Sequence, residues 1–333
     1  MKVLLMGISV RAFSQSIWKK YTPIAVDAFG DLDTRKYAKV RHLRKFIYDM
    51  KELHRRIRDM AIREEYDIAV YGGKFDEFPE MLSGFEVAGN CAETVTKLRD
   101  GKVEKVVGRY LKVPRHIQNP VIKCGAITKV ADVAIERVHG KDISYTFISD
   151  GNDWREIGFA KTESIIVRGA IFYRASIAPF NIEDEKRKKV ESAVDKIVDI
   201  FGLKGINCID MIDTEKDIYF LELNPRPSAS LELFEKVCER SLLDMHIKGK
   251  IGTIKFKTNK KFGKYIVYSK NSCKIKNTRK LLKFNWIADI PYEGRNIKKG
   301  EPLFTVFATG NTYRYVKYKM LERAREAQRL LSM

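Results

Sequence analysis

What this sequence lacks narrows its class. No apolar run approaches the roughly 20 residues that a membrane-spanning helix needs, so no membrane role is expected. Met1-Lys-Val-Leu-Leu-Met6 is followed by Gly7 and by no small-residue cleavage site. That reads as a short strand, not a secretory leader, and a cytoplasmic protein is expected. Cysteine is sparse and scattered. Cys91, Cys124, Cys208, Cys238 and Cys273 form no Cys-x-x-Cys pair, and no histidine stands at ligand spacing beside them. A disulfide framework and a structural zinc are therefore not expected. Gly-x-Gly-x-x-Gly is missing, so a dinucleotide is not implied. There is no internal repeat, no low-complexity linker and no Lys/Arg tract interleaved with aromatics. Glutamine is nearly absent while Lys, Glu and Ile abound, a composition that fits the ion-pair-rich surface of a hyperthermophile.

What is present is core and positive charge. At 333 residues, 44% of them hydrophobic, the chain is long for one core, and two or three domains are expected. The net charge of +20 favours anionic partners. Bases and acids are mixed along most helical stretches, so the expected reading is a solvated basic face that draws nucleotide and acidic small molecules. Nucleic acid is not the expected partner. A homodimer is the default oligomer.

The opening alternates strand, helix and strand. Residues 2–6 and Ile24–Val26 read as strands around a helix from Ala12 to Lys20, a Rossmann-like start that places Ser9, Arg11 and Asp27 at the carboxyl edge of a parallel sheet. A basic amphipathic helix is expected over His42–Glu65. The next strand, Asp67–Tyr71, leads into Gly72-Gly73, where close backbone approach is permitted, and on to Glu77. The helical stretch Ala92–Tyr110 is interrupted at Gly101-Lys102.

The chemistry gathers further on. Gly205–Ile212 and Ile218–Leu221 read as strands joined by the polar turn Thr214–Asp217, and Asn224-Pro225 ends the ladder. In that hairpin Asp210 and Glu222 can face each other, and Asn224, two residues beyond Glu222, shares its face. Two carboxylates and a carboxamide make a hard, all-oxygen donor set suited to Mg²⁺ shared with phosphates, with Mn²⁺ as a substitute, and unsuited to zinc. Arg226 follows with a fork that fits phosphate or carboxylate.

Asp210 followed by Glu222-Leu-Asn-Pro-Arg226 resembles the metal-binding hairpin of the ATP-grasp superfamily, most of whose members are ADP-forming carboxylate–amine ligases. The resemblance implies a fold of mixed α/β and α+β class. Its parts are a Rossmann-like pre-grasp domain (1–90), an ATP-grasp domain pair (91–248, with a reduced small lobe at about 113–150) and a β-rich C-terminal module (249–333). It implies ATP and Mg²⁺ as cofactors, with Asp210, Glu222 and Asn224 on the metal. It also places Lys105, with Lys102 and Lys112 as competitors, and Lys123 on the nucleotide phosphates, and Gly125 in the phosphate loop. Glu136 falls at the adenine or ribose end, with the backbone of Arg137 and Val138 on the base. Arg226 and Arg174 are the candidate catalytic cations, and Arg168 is a further one.

The chain departs from the family around Lys123. The loop there carries few glycines, and Glu136 follows sooner than in typical members, so the lobe that closes over ATP is trimmed. After Gly249, short β-rich segments at the spacing of a small barrel or sandwich resemble a module of archaeal ATP-grasp proteins, and an amphipathic helix ends the chain. The implied activity is ATP-dependent joining of a small carboxylate to an amine. Two rivals stand beside it: an ATP-grasp protein that keeps nucleotide binding or a regulatory role without ligase chemistry, and, on charge alone, a nucleic-acid-binding protein.

Overall fold

The computed structural model describes residues 1–43, 45–114, 116–118, 133–135, 138–167 and 170–332. Its first unit is a parallel sheet in the order β3-β2-β1-β4, from β1 (Lys2–Gly7), β2 (Thr22–Asp27), β3 (Lys39–His42) and β4 (Ile68–Tyr71). Near-continuous apolar runs such as Val3-Leu-Leu-Met6 suit strands covered on both faces. The crossovers are α1 (Arg11–Ile17) and α2 (Met50–Ala61).

The helix expected over 42–65 is shorter. β3 occupies the residues in front of it, paired in parallel with β2 from Ile24↔Lys39 to Asp27↔His42. The helix begins only after Asp49, whose side chain accepts the Glu52 N–H at 2.7 Å. α3 (Ala92–Lys97) and α4 (Lys102–Val107) follow, broken at Gly101 with φ of 69°.

β5 (His116–Gln118) and β6 (Val133–Ile135) form a small antiparallel pair. An eight-stranded sheet then runs β11-β10-β7-β8-β9-β12-β16-β14. It contains β7 (Lys141–Asp150), β8 (Trp154–Val167), β9 (Ala170–Phe180), β10 (Lys204–Asp213), β11 (Ile218–Asn224), β12 (Lys261–Tyr268), β14 (Ile287–Ala288) and β16 (Pro302–Gly310). β13 (Cys273–Lys274) pairs instead with β15 (Asn296–Ile297).

The two faces of this sheet differ. On one, α5 (Asp184–Phe201) sets Val190, Val194 and Ile197 against Tyr145, Phe147, Ile209 and Met211. On the other, α6 (Leu231–Cys238) and α7 (Leu242–Lys248) share a core with Val3, Leu5 and Phe13, which joins the parallel unit to the large sheet. α8 (Tyr313–Ser332) lies on β12 and β16 through Val316, Met320 and Ala324.

The segment after residue 249 does not close on itself as a barrel or sandwich. β12 pairs with β9 from Phe262↔Ala178 to Tyr265↔Ala175, and β16 adds to β12. β12, β14 and β16 spend their backbone hydrogen bonds on the central sheet, a pairing that short-range turn signals do not reveal.

Candidate nucleotide and metal site

β10 and β11 pair antiparallel with Asp210 opposite Glu222, and a register shift follows Asp210. Ile209 and Met211 both enter the α5 core, so strand alternation sends Asp210 to the opposite face. There Asn224 Nδ2 donates to Asp210 Oδ2 at 3.0 Å and to Glu222 Oε1 at 3.1 Å. The amide bridges the two carboxyl groups, at the place where a cation would act. Burial, then the neighbouring Glu222 carboxylate, pushes the Asp210 carboxyl well above its ordinary range.

Arg226 completes the group. Its Nη2 donates to Asn224 Oδ1 at 2.8 Å, and its Nε donates to Asp76 in the loop leaving β4. Burial would lower the guanidinium, but the Asp76 carboxylate, with Glu222 behind it, raises it above its ordinary value and keeps it charged. The turn after the hairpin is held from the same side. The Tyr71 hydroxyl and Asn90 Nδ2 donate to the Pro225 carbonyl at 3.1 and 3.0 Å.

The donor chemistry fits a divalent, oxygen-preferring ion: three converging side chains that offer oxygen donors. Among the described residues no group of three or more His, Cys, Asp and Glu could hold a metal by itself. A metal here would therefore draw on the Asn224 oxygen and on ligands from substrate or water.

Beside the hairpin the sheet carries hydrogen-bonding capacity that no protein group uses. Ser144 lies opposite Asp210 in the β7–β10 register, and Ser176 lies opposite Lys264 in the β9–β12 register. Both alternate with core residues of the other face and so share the face of Asp210. The Ser144 and Ser176 hydroxyls, like that of Tyr173, are buried with no hydrogen-bond partner. Buried polar groups are normally paired, so these three mark a surface shaped for something other than protein. Sequence reading missed them because an isolated Ser or Tyr in a strand carries no signal. Only the register across β7, β10, β9 and β12 assembles them.

The other expected residues divide. Lys123, Gly125, Glu136 and Arg137, with Arg168, lie outside the described residues. Val138 is half-buried in the coil just ahead of β7. Lys105 is exposed on α4, whose Val103 and Val107 pack on the α5 side. The geometry thus places it on the face of the sheet away from Asp210. Arg174 sits 4.8 Å over the Tyr265 ring and donates to the Tyr265 hydroxyl, turned toward β12 and not toward the hairpin.

The expected ligand edge of the parallel sheet is split. The β4 loop supplies Asp76 to the hairpin. Asp27, at the end of β2, instead accepts the N–H groups of Phe29 and Gly30 at 3.1 and 2.7 Å. Arg11 is consumed by Glu232 at 2.8 Å and Asp289 at 2.9 Å. Neither is free to hold a ligand.

Comparison with known proteins bears on the family and the fold. Residues 83–230 match the family model of the ATP-grasp domain. An uncharacterized protein of Methanocaldococcus jannaschii is 29% identical over 180 residues, a match spanning 54% of this chain and 43% of that one. Among solved structures, phosphoribosylamine–glycine ligase from Thermotoga maritima superposes with a TM-score of 0.66 at 15% identity, covering 97% of this chain and 96% of that one. N5-carboxyaminoimidazole ribonucleotide synthetase, in its ADP complex, gives 0.64 at 15% identity, covering 99% of this chain and 97% of that one. At such identities the superpositions establish the fold alone. Residues 83–230, with the Asp210–Arg226 hairpin inside them, are the stretch that resembles an ATP-grasp domain.

Proposed function

We propose that this protein is an ATP-dependent, ADP-forming ligase that joins a small carboxylate to an amine. The observation that carries the reading is the convergence of Asp210, Glu222 and Asn224 on one sheet face with Arg226 hydrogen-bonded beside them. Asp210, Glu222 and Asn224 would hold Mg²⁺, which when bound would neutralise charge on the β- and γ-phosphate oxygens of ATP.

In the proposed reaction a carboxylate oxygen attacks the γ-phosphorus and ADP leaves, giving an acyl-phosphate. An amine then attacks the acyl carbon, phosphate leaves, and the amine's extra proton passes to solvent or phosphate. Arg226 would hold the carboxylate or the transferred phosphoryl group through its fork, while Asp76 keeps that fork oriented. The unpartnered hydroxyls of Ser144, Tyr173 and Ser176 would position a polar substrate against the hairpin. No protein nucleophile is required.

The test is a thermal-shift titration with MgATP, MgADP and MgGTP on the wild type and on Glu222→Ala. A rise in melting temperature with MgATP that is absent in the variant is expected. Carboxylate–amine pairs are then screened for phosphate release. No shift with any nucleotide at millimolar concentration would defeat the ligase reading.

A further inference from the structure

The net charge is unevenly placed. Residues 249–333 hold 21 Lys and Arg against 5 Asp and Glu, so +16 of the total +20 sits on a quarter of the chain. Within it, residues 249–288 carry 12 Lys and Arg and no acidic residue at all. Residues 34–48, in the parallel unit, repeat the pattern with six Lys and Arg and no acid.

The fold sets the 34–48 run against residues 292–301, which follow the acid-free run. The His42 and Tyr292 rings meet at 5.3 Å, the Lys298 ammonium lies 5.0 Å over the Tyr48 ring, and the Tyr48 hydroxyl donates to Glu301 at 2.5 Å. β13 and β15 then form a ribbon that displays Lys270, Lys274, Lys276, Lys298 and Lys299, and a short helical turn adds Arg279 and Lys283. All seven are exposed, and none has a carboxylate partner among the described residues. The arginines of α2 differ: Arg55 and Arg56 both pair with Glu52. Ion pairing therefore does not account for the charge on the ribbon. Beside the 34–48 segment a cleft of about 350 Å³ is lined by His42, Arg56 and Arg63, and its one acid, Asp59, is already paired with Arg55 at 3.1 Å.

We propose that this face binds nucleic acid through its phosphodiester backbone. Unpaired lysines of one sign, clustered and solvated, gain most from a partner that releases condensed counterions on contact. Protein interfaces deplete lysine at their core, whereas six of the seven exposed cations here are lysine. The face shares no residue with the Asp210–Arg226 hairpin, and its binding does not depend on whether the hairpin binds ATP.

The test uses the full chain. Fluorescence anisotropy measures binding of a 30-nucleotide single-stranded RNA and of a DNA duplex between 50 and 200 mM KCl. With about six phosphates engaged on a single strand, affinity should fall about 300-fold over that range. The triple variant Lys274→Glu/Lys276→Glu/Lys299→Glu should bind at least tenfold more weakly at 100 mM salt, with an unchanged melting temperature. A control, Lys97→Glu/Lys188→Glu/Lys216→Glu, makes the same change in net charge elsewhere and should bind nearly as the wild type does. Preference for RNA or for DNA identifies the nucleic acid, and either supports the proposal. Absence of binding to both at 50 mM salt overturns it, as does equal weakening in the two triple variants. Capture by anionic phosphatidylserine vesicles or by polyglutamate without binding to RNA or DNA also overturns it, in favour of a membrane or an acidic protein.

Discussion

Arg11 is buried and Arg226 partly buried, and both tie the parallel unit to the rest of the molecule, yet their surroundings are opposite. Arg11 meets Glu232 and Asp289, lies 3.8 Å from Asp33, and donates to Gln15 at 3.0 Å. Lys264 closes the cluster on Glu232 at 2.6 Å. Burial disfavours the Glu232 charge, but Arg11 and Lys264 together hold its carboxyl down at about 2. Every charge there is answered. Among the described residues Arg226 has one carboxylate partner, Asp76, and one carboxamide, and next to it Asp210 and Glu222 share the two amide hydrogens of Asn224, with the Cys208 thiol 4.0 Å from Asp210. A saturated cluster is a fastener, whereas a cluster with charge and hydrogen-bonding capacity left over is a place for a ligand.

The same substitution at both positions tests that contrast. Arg11→Lys keeps the charge but cannot reach Glu232, Asp289 and Gln15 at once, leaving buried acceptors short of donors. It should cost about 3 kcal/mol of stability, measured by denaturant unfolding, with MgATP affinity kept. Arg226→Lys keeps one bond to Asp76 and loses the fork to Asn224. It should leave stability within about 1 kcal/mol of wild type while lowering ATP-dependent phosphate release by about 100-fold. If both variants lose stability equally with activity intact, the distinction between fastener and site fails.

This contrast was only partly legible in the sequence. Asp210, Glu222, Asn224 and Arg226 lie on one hairpin, and strand alternation alone puts the first three on one face. The partners of Arg11 lie 221 and 278 residues away, and no local pattern announces them. Lys105 looked well placed by position along the chain, but Val103 and Val107 decide which way α4 faces. The charge average over the whole chain hid a nearly neutral first three-quarters and a strongly basic remainder.

A third point of attachment joins the same two units without any charge. His246 is buried, accepts the Ile206 N–H at 2.8 Å through Nδ1 and bonds the Ala88 backbone. A side chain at Gly205 or Gly89 would strike its ring at 2.3 or 2.5 Å. Burial pushes the imidazole down to about 4 from an ordinary 6.5. The unfolded chain therefore binds the extra proton first as pH falls. The contribution is complete above about pH 6.5, is lost progressively toward pH 4, and levels off below that. The span corresponds to about 3 kcal/mol. His246→Gln keeps one acceptor and one donor, so its stability should show a correspondingly flatter profile between pH 7 and 4. An identical profile in wild type and variant would assign the acid loss to the carboxylate clusters instead.

The smallest expected effect probes the leftover capacity most directly. The Tyr173 hydroxyl is buried without a partner, and the Lys264 ammonium lies 5.6 Å over its ring, at the border between the saturated cluster and the hairpin. Burial raises the phenol well above its ordinary value, with the neighbouring Ser176 hydroxyl opposing and Glu232 and Asp210 adding to it, so it is a neutral donor. If the hydroxyl belongs to the fastener, Tyr173→Phe should destabilise the protein. If it belongs to the site, its removal deletes an unsatisfied polar group, and stability should hold or rise by up to about 1 kcal/mol. In that case KM for one substrate of the coupled reaction should rise about tenfold, as expected for one lost hydrogen bond, while MgATP affinity stays put. Stability and substrate affinity moving in opposite directions is a signature that a purely structural tyrosine does not give, because residues kept for binding are commonly kept at the expense of the fold.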